Sequence, residues 1–123
     1  MDTPQTPQSS PITCVIEYEI EPWAHDAFRQ YATLWGQAIP DCGADLFGYF
    51  APHEGSATKG YGIYTLPSLA AYEVYKTKLR AHAIGREAYA FAQKERFIRR
   101  EDRTFLTQAC GPTPALISLD RTP

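Results

Sequence analysis

His53 and Glu54 stand side by side in the stretch Pro52-His53-Glu54-Gly55, and their types suggest chemistry most directly. An imidazole titrates near neutrality, and a neighbouring carboxylate can pass or orient its proton, so the pair is a candidate catalytic acid or base and a candidate ligand contact. The same stretch also reads as an ordinary turn, in which Pro52 and Gly55 set the backbone and His53 hydrogen-bonds locally. Tyr18, Tyr49 and Tyr64 are candidate ligand contacts of a second kind: aromatic walls tipped by a phenolic hydroxyl, whose everyday use is core or interface packing. Arg80 and Arg86, with His82 between them, can hold a carboxylate or phosphate through their guanidinium groups, and a solvated helix face is the plainer reading. Glu17 and Arg103 are expected to meet across adjacent strands, as a pocket pair or as a structural ion pair.

Composition removes several kinds of chemistry. With 12 basic residues against 14 acidic ones the chain carries a formal net charge of −2, which denies nucleic acid the basic stripe that phosphate binding requires. His25, His53 and His82 are too scattered for a local metal-ligand pattern, so no metal is expected. A Gly-rich phosphate loop and a Gly-x-Ser-x-Gly elbow are both lacking, and no cofactor is implied. Cys14, Cys42 and Cys110 are odd in number and widely spaced; they read as small buried hydrophobes in a reducing, cytoplasmic setting. No apolar run approaches the roughly 18–20 residues needed to span a bilayer, and the N-terminus lacks the order of a secretory signal.

The 123 residues suit one domain. Residues 1–11 are polar and proline-rich and are expected to form a disordered arm. Residues 12–110 form the domain, and residues 111–123 a tail whose Gly-Pro-Thr-Pro start gives way to Ala115, Leu116 and Ile117.

Within the domain, residues 13–20 alternate with the two-residue period of a half-buried strand. From Pro22 the period becomes helical, with Trp23, Ala27, Phe28, Tyr31, Leu34, Trp35, Ala38 and Ile39 on one stripe, and Pro40 is expected to stop that helix. Residues 44–51 and 60–66 are rich in aromatic and β-branched side chains and should pair as a hairpin with a long polar tip. Pro67 suits the first turn of a second helix, in which Leu69, Tyr72, Tyr75, Leu79 and Ala83 form the stripe. Gly85 ends or kinks it, a further helical stretch runs from about residue 86 to 97, and residues 103–109 form a last strand.

That order predicts an α+β, ferredoxin-like βαββαβ fold, a four-stranded antiparallel sheet with its helices on one face. In the hairpin, Leu46, Gly48 and Phe50 are expected on one side and Phe47, Tyr49 and Ala51 on the other, with Ile63 and Tyr64 likewise opposed. Both faces are therefore apolar, while helices cover only one. At about 25 cal/mol per Å² of apolar surface, leaving the second face wet forfeits several kcal/mol, so a homodimer or a ligand is expected there.

The stretches Gly48-Tyr49-Phe50-Ala51-Pro52-His53-Glu54-Gly55, Pro67-Ser68-Leu69-Ala70-Ala71-Tyr72 and Arg103-Thr104-Phe105-Leu106 resemble the NIPSNAP family, over about residues 12–109. The resemblance implies the dimeric α+β barrel arrangement, in which two ferredoxin-like sheets face each other. That superfamily includes cofactor-free monooxygenases, isomerases and haem enzymes, while many bacterial members have no assigned reaction. Three functions follow as expectations. The first is a homodimeric small-molecule-binding protein with an aromatic-lined pocket gated by the His53 loop; the second is a cofactor-independent oxygenase or isomerase using His53 or a tyrosine; the third is a protein-interaction module.

Overall fold

The structure is a computed structural model in which residues 10–112 are described. Most of the expected arm and most of the expected tail, residues 1–9 and 113–123, lie outside the described residues.

The first strand, β1, runs Ile12–Ile20, and its alternation is complete: Ile12, Cys14, Ile16, Tyr18 and Ile20 are all buried. Helix α1 spans His25–Asp41 and buries Phe28, Tyr31, Trp35, Ala38 and Ile39 at helical spacing. Pro40 does not stop α1 but lies inside its last turn. So near the C-terminus the missing Pro40 N–H removes only one bond, and the end is tied off by Cys42 N–H donating to the Ala38 and Ile39 carbonyls at 3.1 and 3.2 Å.

Strands β2, Asp45–Phe50, and β3, Lys59–Leu66, form the expected hairpin. Its facing differs from simple alternation because the register shifts between Leu46 and Gly48. The bulge at Phe47 puts Leu46 opposite Tyr64 and Tyr49 opposite Gly62, so Leu46 and Tyr49 share the helix-covered face. Phe50 and Gly48 pair with Tyr61 and Ile63 and belong to the other face.

The second helical region is two helices, α2 at Leu69–Ala81 and α3 at Ala83–Glu95. Ser68 caps α2 by accepting from Ala71 N–H at 3.0 Å. The break falls at His82, three residues before Gly85. His82 takes an extended conformation, and its Nδ1 accepts from the N–H groups of Ile84 and Gly85, which caps α3. With Nδ1 accepting, Nε2 carries the proton and donates to Asp41 Oδ2 at 3.1 Å, tying the break to the end of α1.

The last strand, β4, spans Ile98–Leu106 and so begins five residues before the expected position. Its first half, Ile98-Arg99-Arg100-Glu101-Asp102, shows no apolar alternation because β4 is an edge strand, where charged side chains protect the unpaired rim. The sheet order is β2-β3-β1-β4, antiparallel throughout. The helices pack on one face of the sheet, α1 against α3 and β2, α2 against α3 and β3. This is the ferredoxin-like α+β arrangement.

The expected Glu17–Arg103 pair does not form. Arg103 lies opposite Ile16 and therefore on the inner face, where it donates to Glu101 at 2.9 Å. Glu17 is one residue out of phase, on the outer face, and binds Lys59 at 2.7 Å. No helix among the described residues is long and apolar enough to cross a membrane.

Candidate functional site

Between the inner face of the sheet and the three helices lies a chamber whose walls are mainly aromatic. Tyr18 reaches it from the centre of β1, Tyr49 from β2 and Tyr64 from β3, so the structure brings together three of the tyrosines singled out in the sequence. Tyr31 and Trp35 enter from α1, Tyr75 from α2 and Tyr89 from α3; β4 adds Glu101 and Arg103. Two close approaches allow this. A Cβ on Gly62 would stand 2.6 Å from the Tyr49 ring, and one on Gly60 would stand 2.8 Å from Phe28, so the bare backbone of β3 makes room for both rings.

The rings lock one another. Tyr18 packs edge-on against Phe28 at 5.3 Å and Tyr31 at 5.8 Å, Tyr31 against Trp35 at 5.9 Å, and Trp35 against Tyr89 at 5.5 Å. The Tyr18 and Tyr49 hydroxyls share a hydrogen bond of 3.0 Å. The indole Nε1 of Trp35 is buried and completes no hydrogen bond among the described residues, although the Tyr31 hydroxyl is its polar neighbour. A buried donor without an acceptor is costly, by about 1–3 kcal/mol.

Burial governs the electrostatics. It pushes the phenols of Tyr18 and Tyr49 well above their ordinary range, and the charge of Glu101 adds to the effect. Tyr31 is pushed up to about 12, again by burial first and Glu101 second. Tyr64 and Tyr75 move in the same direction for the same primary reason. For Arg103 burial opposes the charge, but Tyr64 and Glu101 outweigh it and the guanidinium is held more firmly protonated. At neutral pH the chamber therefore presents neutral phenols and one charge pair, Glu101 with Arg103.

The chamber itself is small, about 30 Å³, room for about two water molecules. It adjoins an outer vestibule of about 100 Å³ that shares Tyr64, Tyr75, Leu79, Tyr89 and Arg103 with it. Tyr72, Lys76 and the exposed Arg80 complete the vestibule lining. Arg86 is exposed on α3 and lines neither space. His53 and Glu54 are exposed on the β2–β3 loop and lie outside both linings. That loop is pinned instead by His25, whose Nε2 donates to the Ala57 carbonyl at 2.7 Å.

Tyr31, Trp35, Tyr75, Tyr89 and Glu101 belong to the site without having been singled out for it. Their signal in the sequence is that of a helical stripe or a charged edge, which packing alone accounts for. A larger groove of about 320 Å³ lies between α1 and β2; it brings together fewer polar groups, Arg29, Thr33 and the Tyr49 hydroxyl, and Thr33 is satisfied by its own helix. Among the described residues no cluster of three or more His, Cys, Asp or Glu is arranged to hold a metal ion.

Comparison with known proteins agrees with this architecture. Among curated proteins none matches the sequence. A NIPSNAP-like domain protein from Burkholderia xenovorans, uncharacterised, is 19% identical with a TM-score of 0.68 over 86% of this chain and 92% of its own. A NIPSNAP family protein of unknown function from Agrobacterium tumefaciens is 18% identical with a TM-score of 0.67, covering 86% and 95%. A putative antibiotic biosynthesis monooxygenase from Chloroflexus aurantiacus is 10% identical with a TM-score of 0.60, covering 86% and 100%; at such identity the likeness is one of fold. The sequence profile of the NIPSNAP family matches residues 14–110, nearly the whole described chain, and the protein belongs to that family.

Proposed function

We propose that the protein is a homodimeric small-molecule-binding protein whose ligand occupies the tyrosine-walled recess between the sheet and helices α2 and α3. The observation that carries this reading is the convergence of polar tips in one buried place. The buried Trp35 Nε1 beside the Tyr31 hydroxyl, the Tyr18–Tyr49 hydroxyl pair and the partly exposed Arg103 all line one recess with aromatic walls, the usual composition of a ligand pocket. The upward shifts of the phenols favour binding over catalysis, because a phenol held neutral donates hydrogen bonds but is a poor proton carrier near pH 7. The oxygenase or isomerase reading, built on a tyrosine or on the exposed His53, has less support.

Dimerisation is proposed through the outer face of the sheet. There Val15, Ile63, Tyr61 and Phe50 form an apolar patch in the middle of the face, bordered by Thr13 and Thr65 on one side and by Glu17, Glu19 and Lys59, bridged at 2.7 and 3.2 Å, on the other. Two copies related by a twofold axis would cover the apolar patches and leave the recess, on the opposite face, accessible. Cys14 and Cys42 are buried free thiols, which supports a reducing, cytoplasmic setting.

Native mass spectrometry tests the binding reading. The purified protein should retain a small molecule, and Leu79→Trp, which fills the shared wall of chamber and vestibule, should release it. Retention unchanged by Leu79→Trp would place the ligand elsewhere. Sedimentation tests the assembly: a stable monomer at micromolar concentration would remove the dimer.

A further inference from the structure

We propose that the recess is an anion site for a small planar acid, a single six-membered ring bearing one carboxylate, with the ring among the phenols and the acid group directed outward to Arg80 and Arg103. This rests on the ligand-binding reading and adds the chemistry of the ligand. Three cations, Lys76, Arg80 and Arg103, line the vestibule, and no carboxylate does. Two of the three are already engaged: Lys76 by Glu73 at 3.3 Å and by the face of Tyr72 at 5.1 Å, and Arg103 by Glu101 at 2.9 Å. Arg80, in the last turn of α2, makes no ion pair and no side-chain hydrogen bond among the described residues. Its whole guanidinium fork is free for the bidentate geometry that an acid group offers.

The recess is also polarised along its depth. Glu101 lines the inner chamber, where Arg103 balances its charge, while the vestibule adds Arg80 without a carboxylate to balance it, so an anion is favoured at the mouth rather than at the base. That sets the orientation. Volume bounds the size: a vestibule of about 100 Å³ and a chamber of about 30 Å³ together fall short of the roughly 150 Å³ apolar cavity that accommodates benzene, so the guest is no larger than one ring, with its acid group projecting through the opening. Tyr89, 53% exposed, offers a ring surface for offset or edge-on contact with such a guest.

The chain has two tryptophans, and Trp23→Phe leaves Trp35, in the chamber wall, as the sole tryptophan, excited apart from the tyrosines at the red edge of the absorption band. Benzoate, benzamide and inorganic phosphate are titrated into this protein at constant ionic strength. Benzoate should give a saturable change in emission, benzamide should bind about tenfold more weakly, and phosphate should give no saturation. Arg80→Gln should weaken benzoate about tenfold without altering benzamide or the thermal melt. Benzamide binding as tightly as benzoate, phosphate matching it, or Arg80→Gln leaving benzoate unaffected would overturn the planar-acid assignment and leave the pocket in place. Silence from both ring probes, with a molecule still retained in native mass spectrometry, would overturn the assignment alone; silence with nothing retained would remove the pocket reading as well.

Discussion

On the inner face of the sheet Tyr18 and Tyr64 are 1% and 3% exposed, whereas on the outer side Phe50 is 44% exposed and Phe47, at the bulge, 73%. Both faces come from the same alternating strands, and the contrast lies in what covers them. The inner face is closed by α1, α2 and α3, which bring their own aromatic stripes, so ring meets ring and the remaining space is a small polar-tipped chamber. Among the described residues no helix covers the outer face, and the proposed dimer would cover its apolar patch with a second subunit. On the proposed reading one strand pattern separates a ligand site from an assembly surface, and changes on the two sides should have different consequences.

The largest effect is expected on the inner side. Phe28 is fully buried and touches Tyr18, Tyr31, Tyr49 and Phe97, so Phe28→Ala should lower unfolding free energy by about 3–5 kcal/mol in denaturant titration. Alkaline pH comes next. Tyr31 ionises at about 12 in the fold, against about 10 when unfolded, so its share of stability is intact below pH 10 and drains away as pH rises towards 12. That share is about 2–3 kcal/mol. Absorbance at 295 nm should therefore show the buried tyrosines ionising together with unfolding; independent ionisation at pH 10 would mean that the rings are not closed in.

Gly62→Ala should cost somewhat less, about 1–3 kcal/mol, because the new methyl group would press on the Tyr49 ring. It should also disturb the recess, which a loss of ligand retention would report. The smallest change in protomer stability is expected on the outer side. Ile63→Asp should alter it by about 1 kcal/mol or less, yet convert dimer to monomer in sedimentation velocity. A variant that stays dimeric would break the division of labour between the faces.

Much of this fold is legible in the sequence because strict periods leave few alternatives. The alternation of Cys14, Ile16, Tyr18 and Ile20 and the stripe of Phe28, Tyr31 and Trp35 each admit one element. Legibility fails where burial is not the constraint. The first half of β4 is an edge and reads as a run of charges, the break at His82 depends on a side chain capping a helix, and the bulge at Phe47 shifts the facing of Tyr49 without any mark in composition. The site follows the same rule. Tyr18, Tyr49 and Tyr64 are visible as strand tyrosines, but Trp35, Tyr75 and Tyr89 look like helix packing until the layers are stacked. His53 and Glu54, the most conspicuous pair in the chain, lie exposed on the hairpin loop, outside the chamber.

The most direct test is a crystal structure of the purified protein without added ligand, read at the space between α2, α3 and β4. The account predicts density for a small organic molecule bounded by Tyr75, Tyr89 and Arg103, with a polar atom or an ordered water accepting from Trp35 Nε1. Density for such a molecule in the α1–β2 groove or on the outer sheet face, with the tyrosine recess empty, would contradict it.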